Sequence, residues 1–102
     1  MDRKLSLMLA AVAVSLAAMP AMAQDYKIGI SAGLTGYAAT VDRAWRDGVE
    51  VAAASLNAKG GVMGRKLVVV TEDNRSEPQE AVTVYRKMIS SDNVNVFISG
   101  CV

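Results

Sequence analysis

Apolar residues recur along the chain with two different periods, and one unbroken apolar run precedes both. From Leu5 to Ala18 every residue except Ser6 and Ser15 is apolar. Further on, Tyr26-Lys27-Ile28-Gly29-Ile30-Ser31-Ala32 alternates and turns at Gly33, which predicts a first strand. The period then lengthens. Val41, Trp45, Gly48, Val49, Ala52 and Leu56 share one face of a helical repeat, predicting a helix capped by Thr40 and running to about Asn57. Gly60-Gly61 should end it, because glycine just past a helix accepts left-handed φ. Leu67-Val68-Val69-Val70-Thr71 is a continuous β-branched run, the pattern of a strand buried on both faces. Ser76 and Gln79 have the spacing of a capping box, with Pro78 in the first turn of a second helix. Its apolar stripe is Ala81, Val82, Tyr85, Met88 and Ile89. After a turn at Asp92-Asn93, Val94–Ile98 predicts a third strand ending at Ser99-Gly100.

The predicted order is therefore β-α-β-α-β, an α/β fold. Crossovers of this kind are right-handed in nearly all cases and give parallel strands covered by helices. A parallel sheet usually has more than three strands and helices on both faces. The chain stops at Val102, on a loop just after the third strand, so the expectation is the N-terminal portion of a longer protein.

The leading apolar run changes what the composition means. Arg3 and Lys4 precede it, Pro20 breaks it, and Ala21-Met22-Ala23 supplies the small-x-small pattern of a signal peptidase site. A spanning helix would need about 20 apolar residues, and this run is shorter and is followed at once by Gln24-Asp25. Residues 1–23 are thus expected to be a cleaved secretory signal, leaving no inserted membrane segment and a product outside the cytoplasm. The remaining positions, 24–102, carry nine Lys and Arg against nine Asp and Glu, with no clustered basic surface to suggest nucleic acid. The sequence has no His and one cysteine, Cys101. A zinc site or a Cys/His or Ser/His nucleophile has nothing here to be built from, so no metal, no cofactor and no catalytic residue is expected. Nor do the glycines make a nucleotide site. Gly60-Gly61-Val62-Met63-Gly64 closes a helix where phosphate cradles open one, and Gly33-x-x-Gly36 lacks the dinucleotide spacing. An exported nicotinamide enzyme, with Glu72 or Asp73 on the ribose, is set aside because exported enzymes of that kind are uncommon.

Several pieces of residues 26–102 carry a family resemblance. They are Ile28-Gly29-Ile30 leading into Gly33-Leu34-Thr35-Gly36, Gly48 within the first helix, the segment Asn57-Ala58-Lys59-Gly60-Gly61-Val62-Met63-Gly64-Arg65-Lys66-Leu67, Glu72-Asp73-Asn74, and Pro78–Val82. Together they resemble the start of periplasmic solute-binding proteins of the branched-chain amino acid ABC transporter type. The resemblance implies the first Rossmann-like lobe, truncated, of a two-lobe protein that closes on a small solute and delivers it to an inner-membrane permease. The amino acid-binding members carry a disulfide between the second βα loop and the end of the third strand. Here Cys101 stands in the second position and Ser76 in the first, so Cys101 is expected to be a free thiol. The Ser/Thr pair that holds an amino acid's carboxylate in such proteins would fall beyond Val102. The same lobe pair also serves as the ectodomain of membrane receptors, which is the alternative function.

In open parallel sheets ligands bind outside the carboxyl ends of the strands. The loops there are 33–40, 72–76 and 99–102. Thr35, Tyr37, Trp45 and Cys101 are the candidate ligand-binding residues in or beside them: a hydroxyl donor, an aromatic wall with a hydroxyl, an indole in the first helical turns, and a thiol after the third strand. Gly33 and Gly36 either let backbone approach a ligand or only make the turn. Glu72 and Asp73 either meet cationic groups or bind a neighbouring helix.

The reading of residues 1–23 has a direct test. Mass spectrometry of the exported protein should give an N-terminus at Gln24, and an intact Met1 would refute it.

Overall fold

The computed structural model describes residues 24–102; the expected signal at residues 1–23 lies outside the described residues. The elements run β1 (Tyr26–Ala32), α1 (Ala39–Ala58), β2 (Leu67–Asp73), α2 (Pro78–Ser90) and β3 (Val96–Ser99). The three strands form one parallel sheet in the order β2-β1-β3. The predicted α/β order and the parallel pairing are both observed. Tyr26 pairs with Leu67 and Ala32 with Asp73 along one side of β1, while Ile28 pairs with Val96 and Ser31 with Ser99 along the other.

The central strand is thus β1. The β-branched run of β2, predicted to be buried on both faces, is an edge strand of this sheet and is half-exposed throughout. Its composition suits a central parallel strand, but among the described residues nothing pairs with its outer side. The chain steps from β1 to β2 in one direction and then back past β1 to β3. With right-handed crossovers this reversal puts α1 and α2 on opposite faces. A Cβ on Gly29 would lie 2.8 Å from Met88 Sδ and 3.0 Å from Phe97 Cδ1, so the Gly29 side of β1 is the side of α2. Ile30, fully buried, alternates to the side of α1. Tyr85 of α2 meets Phe97 of β3 edge to face, with ring centroids 5.2 Å apart.

The helix faces differ from the predicted stripes by about one position. Along α1 the buried or half-buried row is Asp42, Trp45, Val49, Ala53 and Asn57, whereas Val41, Ala52 and Leu56 are exposed. Along α2 the buried residues are Ala81, Val84 and Met88, with Tyr85 half-buried, and Val82 and Ile89 face outward. Apolar residues outnumber the positions that three strands can cover, so periodicity placed Trp45, Val49, Ala81, Tyr85 and Met88 correctly and added Val41, Gly48, Ala52, Leu56, Val82 and Ile89, which are exposed.

Both helix starts also differ from expectation. Thr40 lies inside α1 and is exposed; Ala38 occupies the cap position and makes no side-chain cap bond. The free amides of this turn are satisfied from outside the helix, Ala38 N–H by Ser76 Oγ at 3.2 Å and Ala39 N–H by the Gly36 carbonyl at 3.3 Å. Ser76 is therefore not the cap of α2. That position falls to Glu77, again without a side-chain cap, and Pro78 opens the helix as predicted.

The end of α1 follows the glycines as predicted. Gly60 N–H donates to Asn57 C=O at 3.1 Å and Gly61 N–H to Leu56 C=O at 2.9 Å, the paired bonds of a Schellman ending. Asn57 then explains why helix end and strand start keep a fixed spacing. Its amide donates to Leu67 C=O and accepts from Leu67 N–H, both at 2.8 Å, as a neighbouring strand would. Asn57→Ala should leave both backbone groups of Leu67 unpaired and cost about 1–3 kcal/mol. Chemical denaturation of the two proteins measures this, and an unchanged midpoint would show that water replaces the amide.

Candidate functional site

At the carboxyl end of the sheet three backbone segments converge: 33–38 after β1, 74–77 after β2, and 100–102 after β3. Parallel strands cannot be joined here by tight hairpins, so each strand runs out into a loop whose polar groups need partners. The strand order reverses between β1 and β3, and a reversal of that kind is where open α/β sheets form the crevice that takes their ligands. A shallow polar depression lined by Gln24, Asp25, Lys27, Asn93 and Asn95 lies at the opposite end of the strands and is a separate feature.

The first and second loops are tied by side chains from the second. Asp73 Oδ1 accepts the N–H groups of Leu34 at 3.0 Å and Arg75 at 2.7 Å, and its Oδ2 accepts the Thr35 hydroxyl at 2.9 Å. Ser76 Oγ donates to Thr35 C=O at 2.6 Å while accepting Ala38 N–H. Asn74 is fully buried; its amide donates to Ser31 Oγ at 3.1 Å and its Oδ1 accepts Ser76 N–H at 2.9 Å. Those bonds hold Arg75 and Ser76 at φ 56° and 59°, a left-handed conformation costing non-glycine residues about 1–2 kcal/mol each. Gly36, at φ 84°, has no space for a side chain, since a Cβ would come within 2.8 Å of Ser76 Oγ and 2.9 Å of the Arg75 carbonyl. It answers to the neighbouring loop.

A second junction joins β1 and β3. Asp42, in the first turn of α1, is fully buried. Its Oδ2 accepts Gly33 N–H at 2.8 Å, and its Oδ1 accepts Trp45 Nε1–H at 2.9 Å and Cys101 N–H at 3.3 Å. Burial pushes its carboxyl up, but the donors from Gly33, Trp45 and Cys101 outweigh that and hold it below the usual value. Asp73 behaves alike: burial raises it, and the bonds from Arg75, Thr35 and Leu34 outweigh that and lower it. Cys101 shifts the other way. Its thiol donates to Asp42, and burial and the nearby charge add to that bond in pushing it up. Cys101 is a free, exposed thiol.

The four predicted residues thus occupy three places. Trp45 and Cys101 meet at the Asp42 carboxylate. Thr35 belongs to the Asp73 and Ser76 junction, where its hydroxyl is engaged. Tyr37 stands apart with 76% of its surface exposed. Of the two acidic residues ending β2, Glu72 pairs with Lys87 of α2 and Asp73 binds the first loop. Asp42, Asn74 and the hydroxyl of Ser76 are the polar groups that sequence reasoning passed over. For Asp42 there was a signal: it lies three residues before Trp45 and seven before Val49, on the face that is buried. Among the described residues no group of three or more His, Cys, Asp or Glu could hold a metal, and no helix is long and apolar enough to cross a membrane.

The two depressed carboxyls predict an acid limb of stability. A carboxyl whose folded value is lowered contributes stability that is complete above its unfolded value, near 3.8, and lost as pH falls through the lower folded value. Denaturation midpoints should therefore drop below pH 4 or so. Asp73→Asn should be less stable at neutral pH and show a shallower acid limb. An acid limb as steep as that of the wild type would remove Asp73 as a contributor.

The chain's relatives agree with this architecture. The periplasmic binding protein family matches residues 25–102. A Leu/Ile/Val-binding protein of Citrobacter freundii is 38% identical over 85 residues, which are 83% of this chain and 23% of that protein. The isoleucine complex of a branched-chain amino acid transporter substrate-binding protein from Streptococcus pneumoniae superposes with a TM-score of 0.69 at 32% identity, over 72% of this chain and 21% of the other. A fatty acid ABC transporter substrate-binding protein from Thermomonospora curvata gives 0.64 at 30% identity, over 74% and 18%. The chain spans about a quarter of the length of the Citrobacter protein. Match and architecture together place the chain in the periplasmic binding protein family.

Proposed function

We propose that the protein is the extracytoplasmic substrate-binding subunit of an ABC importer, capturing an amino acid or a related carboxylate or amide and handing it to an inner-membrane permease. The observation that carries this reading is the family match across residues 25–102, on a sheet whose strand order reverses between β1 and β3. The relatives are named for binding and transport, and the chain supplies loops set by hydrogen bonds where a catalyst would present reactive groups. Residues 1–23 serve as the export signal, cleaved after Ala23, and give a periplasmic location. Residues 24–102 form the N-terminal part of the first lobe. The exposure of Val41, Val51, Leu56, Val82, Ile89 and Val96 supports this, since further chain packed on them would remove apolar surface from water.

In this reading the ligand meets the loop after β1 from the side of Tyr37, whose ring is largely exposed among the described residues. Cys101 borders the same crevice from β3. Thr35 and Trp45, with their polar atoms bound to Asp73 and Asp42, contribute carbon surface and backbone position. Affinity comes from closure of two lobes around the solute, so free and bound states differ in hinge angle.

Calorimetry of the full-length protein against a panel of amino acids and small carboxylates tests the proposal. Submicromolar to micromolar binding of one of them is expected. Tyr37→Ala should weaken it by about 1–3 kcal/mol, the scale of one lost buried apolar contact. An unchanged dissociation constant removes Tyr37 from the site. No binding of any small solute, together with measurable turnover, overturns the transport function.

A further inference from the structure

We propose that Asp42 is a positioning residue of the cleft, a buried clamp that fixes the backbone after β3 against the loop after β1. The ligand-affinity part of this inference rests on the solute-binding reading above; the structural part does not. Asp42 is 0% exposed, yet it lies in the first turn of α1 and so next to the crevice at the strand-order reversal. Its carboxylate takes donors from three separate elements: Gly33 N–H from the loop after β1, Trp45 Nε1–H from α1, and Cys101 N–H from the segment after β3. The ion pairs among the described residues are Arg46–Asp47 and Lys87–Glu72, so no cation neutralises this charge.

A buried carboxylate without a cation is costly unless its lone pairs are filled, and charge-assisted bonds of this kind are about twice as strong as neutral ones. The amide groups at the start of α1 favour a negative charge there as well. Each donor is therefore held to its place by the cost of leaving the charge unsolvated. Asp42 turns that cost into a fixed distance between the two strand ends that border the crevice. Gly100 shows how close the approach is: a Cβ there would lie 2.4 Å from Asp42 Oδ2. An apolar residue at position 42 would fill the space but hold neither loop. A carboxylate that merely stabilised its own helix turn would have no reason to accept from Cys101, 59 residues away.

Hydrogen exchange on the full-length protein separates these roles. In the wild type the Cys101 amide, although beyond the last strand pair, should exchange far more slowly than an unstructured amide. Asp42→Asn removes the charge at nearly constant volume, and Gly100→Ala pushes the segment off the carboxylate from the other side. In both variants Gly33 and Cys101 should exchange at least about tenfold faster, the scale of one lost charge-assisted hydrogen bond. The β1–β2 ladder should change much less. Val84→Ala, a core truncation remote from Asp42, should instead speed ladder and loops together. The dissociation constant for L-leucine, used as the probe, should rise at least about tenfold in Asp42→Asn and Gly100→Ala. A wild-type Cys101 amide that exchanges at the solvent rate overturns the clamp, as does acceleration no greater at the loops than in the ladder. Loosened loops with unchanged L-leucine affinity overturn its role in the cleft. A wild-type protein indifferent to L-leucine counts against the amino acid reading, and the exchange rates then decide the clamp alone.

Discussion

A strand flanked on both sides by parallel neighbours has its hydrogen bonds filled along its length and its difficulty concentrated at its end. β1 is in that position, between β2 and β3. Its neighbours must return by long crossovers, so at its carboxyl end the chain cannot close on itself and three loops meet instead. Their backbone amides and carbonyls are withdrawn from the ladder and partly from water, and each needs a partner. The rest of the described structure follows from meeting that demand: two helices on opposite faces, short buried polar side chains at the loop bases, and a crevice where the strand order reverses.

The partners divide into two junctions with different chemistry. Between the first and second loops the work is spread over Asp73, Asn74 and Ser76, whose side chains bind backbone groups of both loops and hold two residues in left-handed conformations. Between the first and third it falls on a single carboxylate, Asp42. Hydrogen bonds at both places do what a covalent link or a metal would do in a smaller domain. Such junctions depend on protonation, because both carboxylates owe their lowered pKa to the donors they hold in place.

This division also suits a lobe that binds by closing on a second lobe. A cleft wall should move as one body, since hinge motion delivers closure energy to the ligand only if the wall does not deform. Loops cross-linked at their bases while leaving Tyr37 exposed meet that requirement: the tethering groups Asp42, Asn74 and Ser76 are buried, and the presented ring is free.

The element order, the parallel sheet, the Schellman ending at Gly60-Gly61 and the opening of α2 at Pro78 were all legible in the sequence, because each rests on interactions within a few residues or on a period. Family membership was legible too, through the fixed spacing from Asn57 to Leu67, whose cause is the Asn57 amide pairing with the strand. The sequence did not reveal which apolar face each helix buries. Val41 and Leu56, or Val82 and Ile89, suit a core as well as the residues beside them, and only the sheet's extent selects among them. Nor could it foresee that Thr40 and Ser76 do not cap their helices, since Ser76 is drawn to Thr35 and Ala38, about forty residues back along the chain. Asp42 is the clearest case. An acid in the first turn of a helix is ordinarily a solvated charge favoured by the helix dipole. Trp45 on its own helix marks the buried face, but only the approach of Gly33 and Cys101 in three dimensions makes it a hub, because those backbone donors come from other elements with no local signature in the chain.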